Sequence, residues 1–495
     1  MRVPEDLISL RAGPLALWWQ PEDGMLRHVS AGGREGLRGI TASVRDRSWG
    51  TFGGRPDEVT LRRDEQTFAL RYSIRCAAGD IDYLWQAEIR GTETGVVTYE
   101  FRGQACSDFA ANRIGLCVLH PGGLAGTDVE VEHTDGSRET GRLPEAISPW
   151  QPFFEVRALT VGVAPGMRLE VRMQGDVFEM EDQRNWLDDS FKAYCPPLAR
   201  PWPFAVKAND RVEQRVTLRL LDAPPVADAP APDVPELSFP RGSAWPALGV
   251  AWSLGDRRPL SHEERVRLAA IPLAHLRIDV VPGEPESMRA AEIGFEEARV
   301  RGVPVEIALH INETNAAAAE AWVRGCREHV ARWIVVERGR NAVTSRRWPD
   351  ALRSWKTDEA PVVAGSDVQF AELNRERPPA EGLDGVAFGF SPQVHAFDER
   401  SMLETLVTIP RVVTQARSFV GGRPAHLGVI TLRPAGRRTS EEDPRLATQL
   451  GARWTRGAID ALASAEAASA TFYTVRGVIG APDVAALFSA GVKRG

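Results

Sequence analysis

The chain has 495 residues, 43% of them hydrophobic and 26% charged, with a formal net charge of −7 and a pI near 5.9. That length exceeds one comfortable hydrophobic core, so two or three domains are expected. The acidic balance argues against nucleic acid and anionic membranes as partners, and no apolar run is long enough to span a bilayer.

The N-terminal run "MRVPEDLISLRAG" offers no apolar signal core. Five cysteines (Cys76, Cys106, Cys117, Cys195 and Cys326) are scattered, with no CxxC pair. They read as buried, reduced thiols in a cytoplasm, not as a disulfide frame or a zinc site.

Short alternating runs fill the first part of the chain: "EVTLRR", "TFALRYSIR", "IDYLWQAEIRG", "GVVTYEFRG", "RIGLCVLHP", "RALTVGVAPG", "RLEVRMQG" and "EQRVTLRLLD". Apolar side chains at every second position put one face on a core and the other in water. Gly, Asp and Pro separate the runs at hairpin-like intervals. Residues 1–222 therefore predict an antiparallel β-sandwich. One stretch departs from this, "DVFEMEDQRNWLDDSFKAYC" (Asp176–Cys195), which lies between two such runs. It reads as a long insertion too aromatic to be disordered. Glu181, Asp182, Arg184 and Asn185 would either satisfy one another or reach over a neighbouring site to bind substrate.

The Pro-rich segment at 223–240 predicts a spacer. From 241 to 495 apolar strands alternate with helical segments. Strand candidates are "ALGVAWS", "HLRIDVV", "VEIALHI", "RWIVVE", "PVVAGS", "GVAFGF", "HLGVITL" and "ATFYTVR". Helical segments include "SHEERVRLAAI", "AAAAEAWVRGCREHVA" and "RSMLETLVTIPRVVTQARSF". This is the rhythm of a (β/α)8 TIM barrel. A doubly wound sheet is the alternative, but "VAWSLGDRR" lacks its Gly-rich first turn.

A TIM barrel carries chemistry at the C-terminal ends of its strands. Those ends offer Trp252 and Ser253, Arg277 and Asp279, and His310 with Asn312 and Glu313. Glu337, Ser366 and Asp367 follow, then Gln393, His395 and Asp398, then Arg433, and finally Thr474 and Arg476. A glycosidase needs two carboxyl groups across the sugar bond, and Glu337 would be one. At strand seven, however, "VITLRPAG" puts Arg433 where the other should stand. An arginine neither attacks nor takes a proton, though it binds carboxylates and oxyanions. There is no GxSxG elbow and no HExxH pair.

Several longer motifs are similar to those of the D-apionolactonase (D-apionate lactonase) family: "FEMEDQRNWLDDSFKAYC", "ISPWQPFFEVRAL", "FAELNRERP" and "FSPQVHAFDE". The resemblance covers both halves of the chain. It implies an N-terminal β-domain followed by a TIM barrel, and hydrolysis of D-apionolactone to D-apionate during apiose catabolism. This chain differs at Trp150, where relatives carry histidine, and at the last strand, "TFYTVRGVIG". It also stops soon after that strand, so a further C-terminal domain is not expected.

Opening a lactone needs a base for water, donors for the oxyanion and an acid for the leaving alkoxide. The expected catalytic residues are Glu337, His395 and Asp367, with Glu337 or His395 as base. Glu181, Asp182, Arg184, Asn185, Arg277, Asp279, His310, Gln393 and Arg433 are expected to bind substrate. No cofactor or metal is expected, although His310, Asp367 and His395 are an alternative metal set. The expected partner is a small sugar lactone, with neither nucleic acid nor membrane involved. The alternatives are a glycosidase pairing Glu337 with Glu181 or Asp182, and an inactive sugar-binding relative.

Overall fold

The computed structural model describes residues 7–222, 244–339, 343–367, 369–434 and 442–492. The spacer expected at 223–240 lies outside them. The chain forms two compact units, residues 1–183 with 189–236, and residues 184–188 with 237–495.

The first unit is built from two nine-stranded antiparallel sheets. One sheet runs from Ile8–Ala12 through Leu15–Trp19, Leu26–Ala31, Arg34–Asp46 and Phe109–Pro121 to Ser190–Tyr194 and Glu179–Asp182. The other runs from Arg138–Arg142 through Asp128–His133, Val156–Ala164, Met167–Gln174 and Arg211–Leu221. It continues through Val96–Ala105, Ile81–Gly91 and Phe68–Ala78 to Asp57–Arg63. The alternation does what the sequence predicts. In Ile81–Gly91, Ile81, Tyr83, Trp85, Ala87 and Ile89 are buried, while Leu84, Gln86 and Arg90 are exposed. Both sheets feed one hydrophobic core, with Ile40 and Leu116 from the first and Ile89 and Tyr99 from the second. Burying each such side chain contributes about 1.5–3 kcal/mol.

The stretch from Asp176 to Cys195 corrects the sequence reading, because it is not a long insertion. Glu179–Asp182 and Ser190–Tyr194 pair antiparallel, Glu181 opposite Lys192, and add two strands to the first sheet. Between them lies a short 3-10 turn, Gln183–Trp186. Only Arg184–Asp188, around that turn, belongs to the second unit.

The second unit is a closed barrel of eight parallel strands. They are β1 (Ala247–Trp252), β2 (His275–Val280), β3 (Val305–Ile311), β4 (Val330–Glu337), β5 (Val362–Gly365), β6 (Gly385–Phe390), β7 (Ala425–Ile430) and β8 (Ser469–Thr474). Closure is made by β8 against β1, with Ala247 opposite Ser469. The helix His262–Ala269 starts at a full capping box: Ser261 Oγ takes the Glu264 N–H, and the Glu264 carboxylate takes the Ser261 N–H.

Other helical runs differ from expectation. The run from Ala316 is helical only to Gly325, because β4 starts at Val330. The run from Arg400 to Phe419 is split into helices Glu399–Glu404 and Ile409–Phe419 by a 3-10 turn. Pro410, which donates no backbone bond, is tolerated because it sits in the first turn of the second helix. Arg476 is not a strand end. The chain turns helical over Val475–Ile479, with Thr474 Oγ1 capping the Gly477 N–H.

Alternate residues of β2 face the barrel interior, so His275, Arg277 and Asp279 share one side. His275 bonds Thr471 of β8 at 2.8 Å, and Thr471 donates to Glu306 of β3 at 3.1 Å. Arg332 pairs with Glu306 at 2.5 Å, and His426 bonds Ser469 at 2.8 Å. Gly249 of β1 is small for a reason: a Cβ there would meet the His275 ring at 2.3 Å. This buried polar layer lies toward the N-terminal ends of the strands. Burial pushes both His275 and His426 down to about 4. Burial alone would raise Glu306, but His275 and the Arg332 guanidinium outweigh it and hold the carboxyl at about 2.

All five cysteines are free thiols. Cys76, Cys117 and Cys195 are buried as expected, whereas Cys106 is exposed and Cys326 half-buried. Among the described residues no helix is long and apolar enough to cross a membrane.

Candidate active site

The second polar layer lies toward the C-terminal ends of the strands and is centred on Arg277, which is 2% exposed. Its Nη1 donates to the Gly428 carbonyl of β7 at 2.8 Å. Its Nη2 donates to Asp279 at 3.1 Å and to Asp367, after β5, at 3.0 Å. His310 of β3 contacts the same Asp279 oxygen through Nε2 at 2.9 Å. Four of the expected site residues are thus joined in one network. Burial alone would raise the Asp279 carboxyl, but the Arg277 guanidinium and His310 outweigh it and hold it well below the usual carboxylate range. An acid held that low is a weak base.

A second cluster forms around His395, in the loop after β6. Its Nδ1 lies 2.7 Å from Asp188 Oδ2. The Trp186 ring stands edge-on to the imidazole, with centroids 5.3 Å apart, and Arg375 lies over Trp186 at 5.1 Å. Asn374 donates to Asn185 at 2.9 Å and accepts from Gln415 at 3.0 Å. The turn of the acidic, aromatic motif therefore brings Asn185, Trp186 and Asp188 to the loop and helix that follow β6 and β5. Arg184 is fully buried. With a carboxylate accepting Nδ1–H, a neutral imidazole carries its lone pair on Nε2, which is the arrangement a general base needs.

The remaining candidates lie elsewhere. Glu337, half-buried, accepts the Ser345 N–H at 2.8 Å. Gln393 is buried and donates to Leu432 O at 2.7 Å and to Asp443 at 2.8 Å. Arg433 is exposed and donates to Glu442 O at 2.9 Å. Glu181 pairs with Lys192, and Asp182 accepts the Ser148 N–H at 2.9 Å, both within the first unit. Among the described residues no group of three or more His, Cys, Asp or Glu side chains is arranged to hold a metal ion. His310, Asp367 and His395 accordingly form no such group.

Two family models match the chain. One, described as the D-apionate lactonase N-terminal domain, covers residues 2–223, and the other, described as the D-apionate lactonase TIM barrel domain, covers residues 248–487. A curated D-apionate lactonase from Brucella anthropi is 32% identical over 466 residues, covering 87% of this chain and 74% of the relative. The chain belongs to the D-apionate lactonase family. Solved structures are more distant. A beta-arabinopyranosidase is 11% identical with a TM-score of 0.31, covering 87% of this chain and 68% of that one. A GalM/aldose epimerase homologue from C. elegans is 9% identical with a TM-score of 0.28, covering 44% of this chain and 99% of that one. Likeness that weak bears on neither fold nor chemistry.

Sequence reasoning missed Asp188, Trp186 and Asn374. Asp188 was within the motif already marked out, "NWLDDSF". Nothing in a linear string says which of two adjacent aspartates meets a histidine more than two hundred residues away; the contact spans 207 positions. Asn374 was within "FAELNRERP", another of the stretches that reads as similar to the family's.

Proposed function

We propose that the protein is a lactonase that opens a sugar lactone of the D-apionolactone kind to the corresponding aldonate. Family membership supports the reaction class, and the 2.7 Å His395–Asp188 hydrogen bond carries the mechanism. His395 is the general base. Asp188 fixes its tautomer and steadies the imidazolium that forms when Nε2 takes a proton from water. The resulting hydroxide adds to the lactone carbonyl. Glu337 is the weaker candidate for the base, because among the described residues its carboxylate has no hydrogen-bonded side-chain partner of the kind that Asp188 gives His395.

In this reading Asp279, His310 and Asp367 serve the sugar hydroxyls, with Arg277 holding the two aspartates in place, and Gln393, bonded to Leu432, Asp443 and Arg445, ties the loops after β6 and β7 together. Arg433, exposed after strand seven, serves the product carboxylate, while Arg184 and Asn185 are buried, and Asn185, bonded to Asn374, helps to hold the turn that leads to Asp188. Glu181 and Asp182 have structural roles in the first unit.

The test is acid release, followed by pH-stat, from a panel of aldonolactones that includes D-apionolactone. Turnover by the wild type, and a loss of about 10²–10⁴-fold in His395→Ala, is the expected result. No acid from any lactone would sink the lactonase reading. Wild-type rates in His395→Ala would sink the assignment of the base.

A further inference from the structure

Strand seven ends without a carboxylate of its own, yet the described end of the loop after it carries Glu442 and Asp443. Glu442 lies just before the 3-10 turn Pro444–Ala447 and is half-buried. Its Oε1 accepts the Thr474 N–H at 2.7 Å, at the C-terminal end of β8. The carboxyl is therefore held at the end of the barrel where the Arg277 network lies. Arg433 Nη2 bonds its backbone carbonyl at 2.9 Å.

This loop is stitched to the one that carries His395. Asp443, next to Glu442, accepts Gln393 Nε2 at 2.8 Å, and Gln393 also donates to Leu432 O. Arg445 bonds the Phe397 carbonyl at 2.6 Å and contacts Gln393 Oε1. His395 lies midway in sequence between Gln393 and Phe397, both of them tied to residues that follow Glu442, namely Asp443 and Arg445. The β6 loop that carries His395 and the end of the β7 loop that carries Glu442 are thus hydrogen-bonded to each other.

We propose that Glu442 is the general acid of lactone opening, giving its proton to the ring oxygen as the acyl C–O bond breaks. This assignment rests on the lactonase reading of the same site. Water loses a proton to His395 Nε2, and its oxygen bonds to the carbonyl carbon. The tetrahedral intermediate collapses, the C–O bond breaks, and the departing oxygen takes the proton from Glu442. Imidazolium and carboxylate remain, and proton exchange through solvent restores both. No oxidant or co-reactant is needed.

The surroundings suit an acid. Burial pushes the Glu442 carboxyl above its ordinary value, against the opposing pull of the Thr474 hydrogen bonds and the Arg433 charge. Asp443 pushes the same way as burial, and Tyr473 is a further titratable neighbour. Carboxyls raised by burial are the usual acids of neutral-pH catalysis.

The experiment compares wild type, Glu442→Gln and Glu442→Asp on lactones whose leaving hydroxyls differ in acidity. Glutamine keeps an acceptor for the Thr474 N–H but has no proton to give. Expected for Glu442→Gln is a kcat loss of about 10²–10⁴-fold, largest for the least acidic leaving group, with KM little changed and the alkaline limb of the pH–rate profile gone. Glu442→Asp, still an acid, retains part of the rate. Overturning results are a kcat within a few-fold of wild type, or a loss uniform across leaving groups with the alkaline limb intact. If wild type itself opens no lactone, the lactonase reading falls and this assignment falls with it. Wild-type turnover beside an unaffected Glu442→Gln sinks this assignment alone.

Discussion

Replacing Asp188 by asparagine tests the proposed base most directly. The His395–Asp188 contact is short, 2.7 Å, and both side chains are shielded, 13% and 15% exposed. A charge-assisted hydrogen bond of this kind contributes about 1.5–3 kcal/mol. If that stabilisation is felt mainly by the imidazolium formed in the transition state, its loss lowers kcat by about 10- to 150-fold, at about 1.4 kcal/mol per tenfold. Asparagine adds a second fault. Its amide offers N–H to Nδ1, which favours the tautomer with the proton on Nε2, where the lone pair is needed. Asp188→Asn is therefore expected to lose more than Asp188→Ala. The acid limb of the pH–rate profile moves to lower pH, because the imidazolium has lost its counter-charge. Steady-state kinetics over pH 5–9, with circular dichroism to check the fold, measures all of this. Wild-type kcat and an unmoved profile in Asp188→Asn would refute the reasoning.

Other consequences concern the barrel itself. His275 and His426 titrate near 4 in the fold against 6.5 as ordinary histidines, so the unfolded chain takes up protons first. Stability is fully present above pH 6.5 and is lost as pH falls from 6.5 to 4, by at most about 3 kcal/mol per ring. Urea midpoints measured from pH 7.5 to 4.5 should fall across that window, and His275→Asn should flatten the slope. Arg277→Met takes the Arg277 cation from the half-buried Asp279 and Asp367, and should cost up to about 3–5 kcal/mol by denaturant titration. Ser261→Ala removes one half of the capping box on the helix His262–Ala269 and should cost about 1 kcal/mol by the same measurement, with kcat unchanged.

The fold was legible because its signals are local. Period-two runs marked the sandwich strands, and short apolar runs alternating with helical segments marked all eight barrel strands, whose hydrogen-bonding requirements are repeated every few residues. The early strands, Ile8–Ala12 through Arg34–Asp46, gave no clean alternation; Leu26–Ala31, for instance, is buried at every position. The site was legible only in part, and the reason is geometric. Arg277 and Asp279 share a strand face and could be paired from spacing alone. Asp367, His310 and the Gly428 carbonyl join them only through barrel closure, which no periodicity encodes. The motif from Asp176 to Cys195 shows the limit most clearly. Its composition announced a function, but its acids divide. Glu181 and Asp182 stay with strands of the first unit, while Asp188, a few residues on, meets His395 in the second. A hairpin makes this division natural. Its strands must satisfy their backbone and side chains within a sheet, whereas its turn is free of that demand and its side chains are available for chemistry. Residues at such a turn are therefore the ones to test first when a β-rich segment carries more charge than a strand can use.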